Sequence, residues 1–302
     1  MVGSRGSRLA LRQTELVLAE LGRRFPDRQF RVQEIRTTGD RRPDASLAAI
    51  GGQGVFVKEL EAALRSRRVD LAVHSLKDVP AEVGEGLVLA AVAERGDVRD
   101  AVVSRGNWWL AELPSGSRVG TGSLRRAVQV RALRSDLEVV DLRGNVDTRL
   151  RKVEEGQVDA AVLAAAGLAR LGYLERAVEI LDTHVMLPAI GQGALTLEAR
   201  ADDAEVLEMA SALDHRESRL ATSAERAFLA RLGGGCRLPI AALGIVEGDL
   251  LRLRGLIADP EGRRILRGDT AGPTSDAEAV GVALAEELLA QGAAELIAEA
   301  TT

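Results

Sequence analysis

The chain has 302 residues, 46 % hydrophobic and 28 % charged, a balance that excludes a disordered chain. Single cores stop growing near about 250 residues, so two or three domains with a cleft between them are expected. A net charge of −5 and only 2 % aromatic residues argue against a nucleic-acid partner, whether gripped by its phosphates or stacked on rings.

No apolar run approaches the roughly 20 residues that span a bilayer, and no signal-peptide core follows Met1. The lone cysteine forbids an internal disulfide. No membrane contact and a cytoplasmic location are therefore expected.

In chain order, apolar spacing predicts a helix over 9–23, an extended segment over 30–36 and a turn at Thr38-Gly39-Asp40. A helix over 55–65 and a buried strand over 69–74 follow, and Pro80 stops regular structure after Ser75-Leu76-Lys77-Asp78-Val79. A second block repeats the rhythm, with strands near 118–119, 137–142 and 158–163 and helices over 123–134, 147–155 and 165–171. Such alternation implies parallel sheets covered by helices.

Gly- and Pro-containing breaks at 95–97 and 188–193 suit a chain that leaves one domain and later returns. The expected units are 1–94 with 194–213, then 98–188, then 216–302. The last unit reads as a helix over 215–232, a glycine run, strands over 240–245 and 250–256, and one amphipathic helix over 275–300.

Three strand-to-helix junctions, 3–8, 120–126 and 142–149, carry arginine beside small residues. A helix N-terminus offers free N–H groups and arginine adds a carboxylate fork, so each junction can hold an anion. Taken singly, each reads more readily as an N-cap (Ser7, Ser123, Asp147) beside a solvated arginine. Three together point to a polyanionic ligand. Arg125 stands where the third glycine of a dinucleotide fingerprint belongs, and no nucleoside-triphosphate loop is present, so carboxylates fit better than nucleotides.

Asp78, at a strand end, can stabilise a developing cation or shuttle a proton; the alternative is a loop ion pair with Lys77. His74 sits on an apolar strand as a satisfied core residue, while His184 and His215 stand alone, so no metal site is expected. Cys236 follows Gly233-Gly234-Gly235 and precedes Arg237, which makes it either an inert core thiol or an exposed nucleophile. A cysteine-dependent hydrolase would need a base that is not in view. The loop over 51–58 is either a mobile lid carrying Phe56 or a plain turn.

Together, GGQGVFVKELE (51–61), AVHSLKDVP (72–80), GTGSLRR (120–126), LRGNVDTRL (142–150), LPAIGQGA (187–194), AERA (224–227) and GGCRLP (234–239) resemble the porphobilinogen deaminase family over nearly the whole chain. The resemblance implies an α/β fold: two periplasmic-binding-protein-like (type II) α/β domains and a smaller C-terminal α+β domain carrying the cysteine, in a monomer. It implies a transferase that condenses four porphobilinogen molecules, releasing ammonia, into hydroxymethylbilane on a dipyrromethane cofactor held by a thioether at Cys236.

By motif match, Lys77, Asp78, Ser123, Arg125 and Arg126 hold that cofactor, and Arg5, Ser7, Phe56, Arg143, Arg149, Arg170 and Gln192 meet the incoming or growing pyrroles. Asp78 matches the catalytic carboxylate, facing the azafulvenium cation left when ammonia departs. Two positions depart from expectation. Gln53 replaces a lysine that many bacterial members carry in the glycine loop, and Asp147 would repel carboxylates unless it caps its helix. The competing reading is a non-catalytic protein clamping a small polycarboxylate, against which the missing export signal and the glycine-flanked Cys236 both weigh.

Overall fold

β1 (Val2–Arg5) passes through Gly6 into α1 (Arg8–Arg24), whose N-cap Ser7 accepts a hydrogen bond from the Ala10 N–H at 3.3 Å. β2 (Val32–Ile35), α2 (Thr38–Arg41), α3 (Lys58–Arg65), β3 (Leu71–Ser75) and β4 (Leu87–Val92) complete the first pass through one lobe. The computed structural model describes residues 1–41, 54, 56–233 and 238–301, so Gln53 and Cys236 lie outside the described residues.

The second lobe holds β5 (Asp100–Ser104), β6 (Arg118–Thr121), α4 (Leu124–Leu133), β7 (Glu138–Asp141), α5 (Val146–Glu154), β8 (Ala160–Ala164), α6 (Ala165–Arg170) and β9 (Glu179–Leu181). The chain then returns to the first lobe with β10 (Leu195–Arg200) and α7 (Ala204–Ser211).

The two lobes share one topology. Their sheets run β2-β1-β3-β10-β4 and β7-β6-β8-β5-β9, so in each the strand arriving from the other lobe is inserted fourth. That strand is antiparallel to both neighbours, β10 to β3 and β4, and β5 to β8 and β9. The sheets are therefore mixed, not parallel as the alternation implied. A strand entering a lobe from the cleft must run against strands whose carboxyl ends face that cleft.

The third unit is α8 (Arg216–Arg231), an antiparallel sheet of β11 (Ile240–Glu247), β12 (Leu250–Ala258) and β13 (Ile265–Pro273), then α9 (Ala277–Ala290) and α10 (Ala293–Thr301). The single closing helix expected over 275–300 is broken at Gly292, whose φ of +98° takes the chain out of the right-handed region. Phe228, Leu253, Leu284 and Leu288 form its core. The β11–β12 surface meets the second lobe through Leu243, Leu256, Leu187 and Val128 of α4.

Two neighbours on α8 tie this unit to the lobes. Glu225, fully buried, accepts both ends of the Arg95 guanidinium at 2.6 and 3.1 Å and the Gly191 N–H at 2.7 Å, which pins both hinge segments. Arg226 donates to the carbonyls of Val79 (3.3 Å) and Ala81 (2.7 Å), holding the loop that follows Asp78. Within the lobes, His74 is the satisfied core residue expected, buried with Nε2 at 3.0 Å from Glu198.

Candidate active site

The carboxyl ends of β1, β3, β6 and β8 face one another across a cavity of about 730 Å³ between the lobes, the usual ligand position in sheets of this kind. Arg5, Ser7, Phe56, Lys77, Asp78, Ser123, Arg126, Arg143, Arg149 and Arg170 all line it. Ten positions scattered over the sequence thus converge. Arg125 and Gln192 stand behind the wall, and Cys236 is outside the described residues.

Asp78 ends a short 3-10 turn, Leu76–Asp78, that continues β3 towards the cleft. Its Oδ2 lies 3.8 Å from Arg5 Nη1. Beside it, Lys77 Nζ reaches Gln192 Oε1 at 3.4 Å. Burial, reinforced by repulsion from Arg126, pulls the Lys77 ammonium down from 10.5 to about 8. The two side chains face separate partners and make no loop ion pair with each other.

Behind the cavity wall sits a carboxylate that the sequence did not single out. Asp100, fully buried on β5, accepts from Arg126 Nε (3.0 Å) and Nη2 (2.7 Å) and from Gln192 Nε2 (2.9 Å), and lies 2.8 Å from Arg125 Nη1. Burial alone would raise its pKa, yet the two guanidinium groups hold it well below the usual carboxylate range. Arg125 also donates to the Leu187 carbonyl at 2.6 Å, while its Nε is buried without a partner among the described residues. Adjacent in sequence, Arg126 opens to the cavity and Arg125 braces the hinge.

Among the described residues, Arg149 and Arg170 are cations without a carboxylate of their own. Arg149 Nε donates to the Gly144 carbonyl (2.9 Å) and Arg170 Nη2 to that of Gly193 (2.6 Å). Burial lowers both from 12.5 to about 10, with Arg126 and Arg143 adding repulsion at Arg149. Arg143 is partly committed, its Nε donating to Asp141 at 2.8 Å.

The caps differ from expectation at one junction. Asn145, not Asp147, caps α5, accepting from the Thr148 N–H at 2.9 Å. Asp147 is drawn across the cleft mouth to Arg8 of α1 (2.7 Å) and accepts from the Tyr173 hydroxyl (2.9 Å). It is thereby held by a cation of the other lobe. Ser123 occupies the N-cap position of α4 without a side-chain capping bond, which leaves its hydroxyl open to the cavity.

The donor set fits an acid-rich group. Lys77, Arg149 and Arg170 are cationic, part-buried and, among the described residues, hydrogen-bonded to no carboxylate, a costly arrangement unless a ligand supplies the missing charge. Among the described residues no cluster of three or more His, Cys, Asp or Glu could hold a metal ion, and no helix is long and apolar enough to cross a membrane.

Fold and cavity together define a two-lobed α/β protein with a cation-lined cleft between its lobes and a third unit bracing the hinge. Residues 1–208 match the family model described as porphobilinogen deaminase, dipyromethane cofactor binding domain, and residues 220–290 the one described as porphobilinogen deaminase, C-terminal domain. The chain is 51 % identical over 299 residues to the porphobilinogen deaminase of Pelotomaculum thermopropionicum, covering 99 % of this chain and 96 % of that one. It is 53 % identical over 298 residues to that of a Roseiflexus species, covering 99 % and 98 %.

The chain belongs to the porphobilinogen deaminase family. Its activity is the transferase reaction in which four porphobilinogen molecules are joined, with loss of ammonia, into the linear tetrapyrrole hydroxymethylbilane on a dipyrromethane cofactor.

Proposed function

We propose that this reaction runs in the interlobe cavity with Asp78 as its catalytic carboxylate. The observation that carries the assignment is the company Asp78 keeps: it shares one cavity with Lys77, Arg149 and Arg170, which among the described residues have no carboxylate of their own. Those cations, with Arg5 and Arg143, take the acetate and propionate groups and so fix the pyrrole ring. Asp78 is then the anion beside the carbon from which ammonia leaves. A preorganised carboxylate stabilises positive charge most where that charge develops. A carboxyl that starts protonated can first hand its proton to the departing amine, leaving the carboxylate anion to face the new cation.

The dipyrromethane, when bound, supplies the terminal pyrrole carbon to which the first substrate ring is joined. Lys77, Ser123 and Arg126 hold its acid groups from the cavity wall, Arg125 supports them from behind Asp100, and Cys236 holds it through a thioether. Ser7, Phe56 and Arg170 position the incoming or growing chain, and Gln192, behind the wall, acts on it through Lys77 and Arg126. We assign 1–94 with 194–213, 98–188 and 216–302 as the three domains, and infer a cytoplasmic, metal-free monomer.

Replacing Asp78 with Asn tests the assignment. The variant is expected to fold and to keep its cofactor but to turn over at least about a hundredfold more slowly, as loss of an electrostatic and proton-transfer group predicts. Turnover within about twofold of the parent would remove Asp78 from the chemistry.

A further inference from the structure

The turn read at Thr38-Gly39-Asp40 lies in a short helix, α2, and these three residues are committed to one purpose. Asp40 grips Arg5 along one edge of the guanidinium, with Nε 3.3 Å from Oδ2 and Nη2 2.7 Å from Oδ1. The Phe56 ring covers one face, its centroid 4.0 Å from the Arg5 guanidinium carbon. Edge and face are thus both taken. The remaining corner, Nη1, points towards the cavity and lies 3.8 Å from Asp78.

Asp40 is itself fixed. Its Oδ2 accepts from the Thr37 hydroxyl at 2.7 Å and from the Thr37 N–H at 3.3 Å. Thr38 donates through N–H (2.8 Å) and hydroxyl (2.6 Å) to Glu59 on α3, which anchors the turn to the lobe. At Gly39 a Cβ would stand 2.1 Å from the Phe56 ring, so only glycine lets that ring lie over Arg5. A planar guanidinium has five donors in fixed directions, and clamping one edge and one face leaves a single orientation for the rest.

We propose that Asp40 is a positioning residue for the porphobilinogen reaction: it clamps Arg5 so that Nη1 is presented to a substrate carboxylate beside Asp78. The inference rests on the reading that Arg5 meets substrate. Asp40 does not compete for that carboxylate, because it uses the Nε–Nη2 edge and leaves the other end of the fork open. It also keeps Arg5 from swinging onto Asp78, where a close ion pair would neutralise the catalytic carboxylate.

The test is a double-mutant cycle on the cofactor-loaded enzyme, with steady-state porphobilinogen kinetics for the parent, Asp40→Asn, Arg5→Gln and the double variant. Asn keeps the shape and can still accept from Thr37 but cannot grip a guanidinium through two acceptors. For Asp40→Asn we expect KM to rise about tenfold with kcat within about threefold, the size of one charge-assisted hydrogen-bond clamp. The double variant should be no worse than Arg5→Gln alone, since a residue acting through Arg5 has nothing to act on once Arg5 is gone.

An unchanged KM in Asp40→Asn, or additive losses in the double variant, overturns the proposal while leaving the role of Arg5 standing. An unchanged KM in Arg5→Gln removes the reading on which it rests. Gly39→Ala supplies a second approach that leaves the Asp40 carboxylate in place: displacing the Phe56 ring should raise KM by more in the parent than in the Arg5→Gln background, where only the ring's own contact with the chain is lost, and an equal rise in both contradicts the clamp.

Discussion

Asp100 gives the sharpest energetic prediction. Among the described residues it is the one carboxylate paired with Arg125 and Arg126, whose side chains are 4 and 6 % exposed, and it also accepts from Gln192. Asp100→Asn keeps the shape of the side chain but removes the charge, leaving two buried guanidinium groups uncompensated and turning an amide N–H₂ towards donors. Removing one partner of a buried ion pair costs about 3–5 kcal/mol. With a urea dependence of about 2–3 kcal/mol per molar, the first unfolding transition should fall by roughly 1–2 M. Equilibrium unfolding followed by far-ultraviolet circular dichroism reads this directly. A midpoint within about 0.3 M of the parent would show that the cluster is solvated and that the reasoning from burial is wrong.

Lys77 should give the protein lacking its primer, Cys236→Ala, a pH-dependent stability. Below about 8 the folded state must carry a buried ammonium that the unfolded chain carries freely, so stability should rise as pH climbs from about 8 towards the ordinary lysine value of 10.5. Lys77→Met should flatten that rise in denaturant titrations between those limits, and an undiminished slope would contradict it. Gly281 of α9 lies where a Cβ would stand 2.2 Å from the Ala224 carbonyl of α8, so Gly281→Ala should cost about 1–3 kcal/mol and loosen the third unit. A differential-scanning trace identical to the parent would mean that the two helices separate at no cost.

The elements that carry the site could be read from the sequence because their junctions combine glycine, serine and arginine with helical periodicity. Strand direction could not, since whether β5 and β10 run with or against their neighbours depends on the lobe from which the chain arrives. β10 itself was missed because Glu198 and Arg200 interrupt its apolar pattern, yet both are buried: Glu198 faces His74, and Arg200 donates to the carbonyls of Leu64 and Val69. Asp100 carried no motif, and only its place on a fully buried strand between Arg125 and Arg126 reveals its work. Asp40 looked like any turn aspartate, because its value lies in a contact with Arg5 across 35 residues.

The central claim is that an acid-rich primer is bonded to Cys236 and that Lys77, Ser123 and Arg126 hold its acid groups. Intact-mass spectrometry of the active, untreated protein tests it most directly. The parent should exceed its polypeptide mass by a two-pyrrole adduct, and Cys236→Ala should run at the bare mass. A fully active parent at the bare mass, or an adduct that survives in Cys236→Ala, would contradict it.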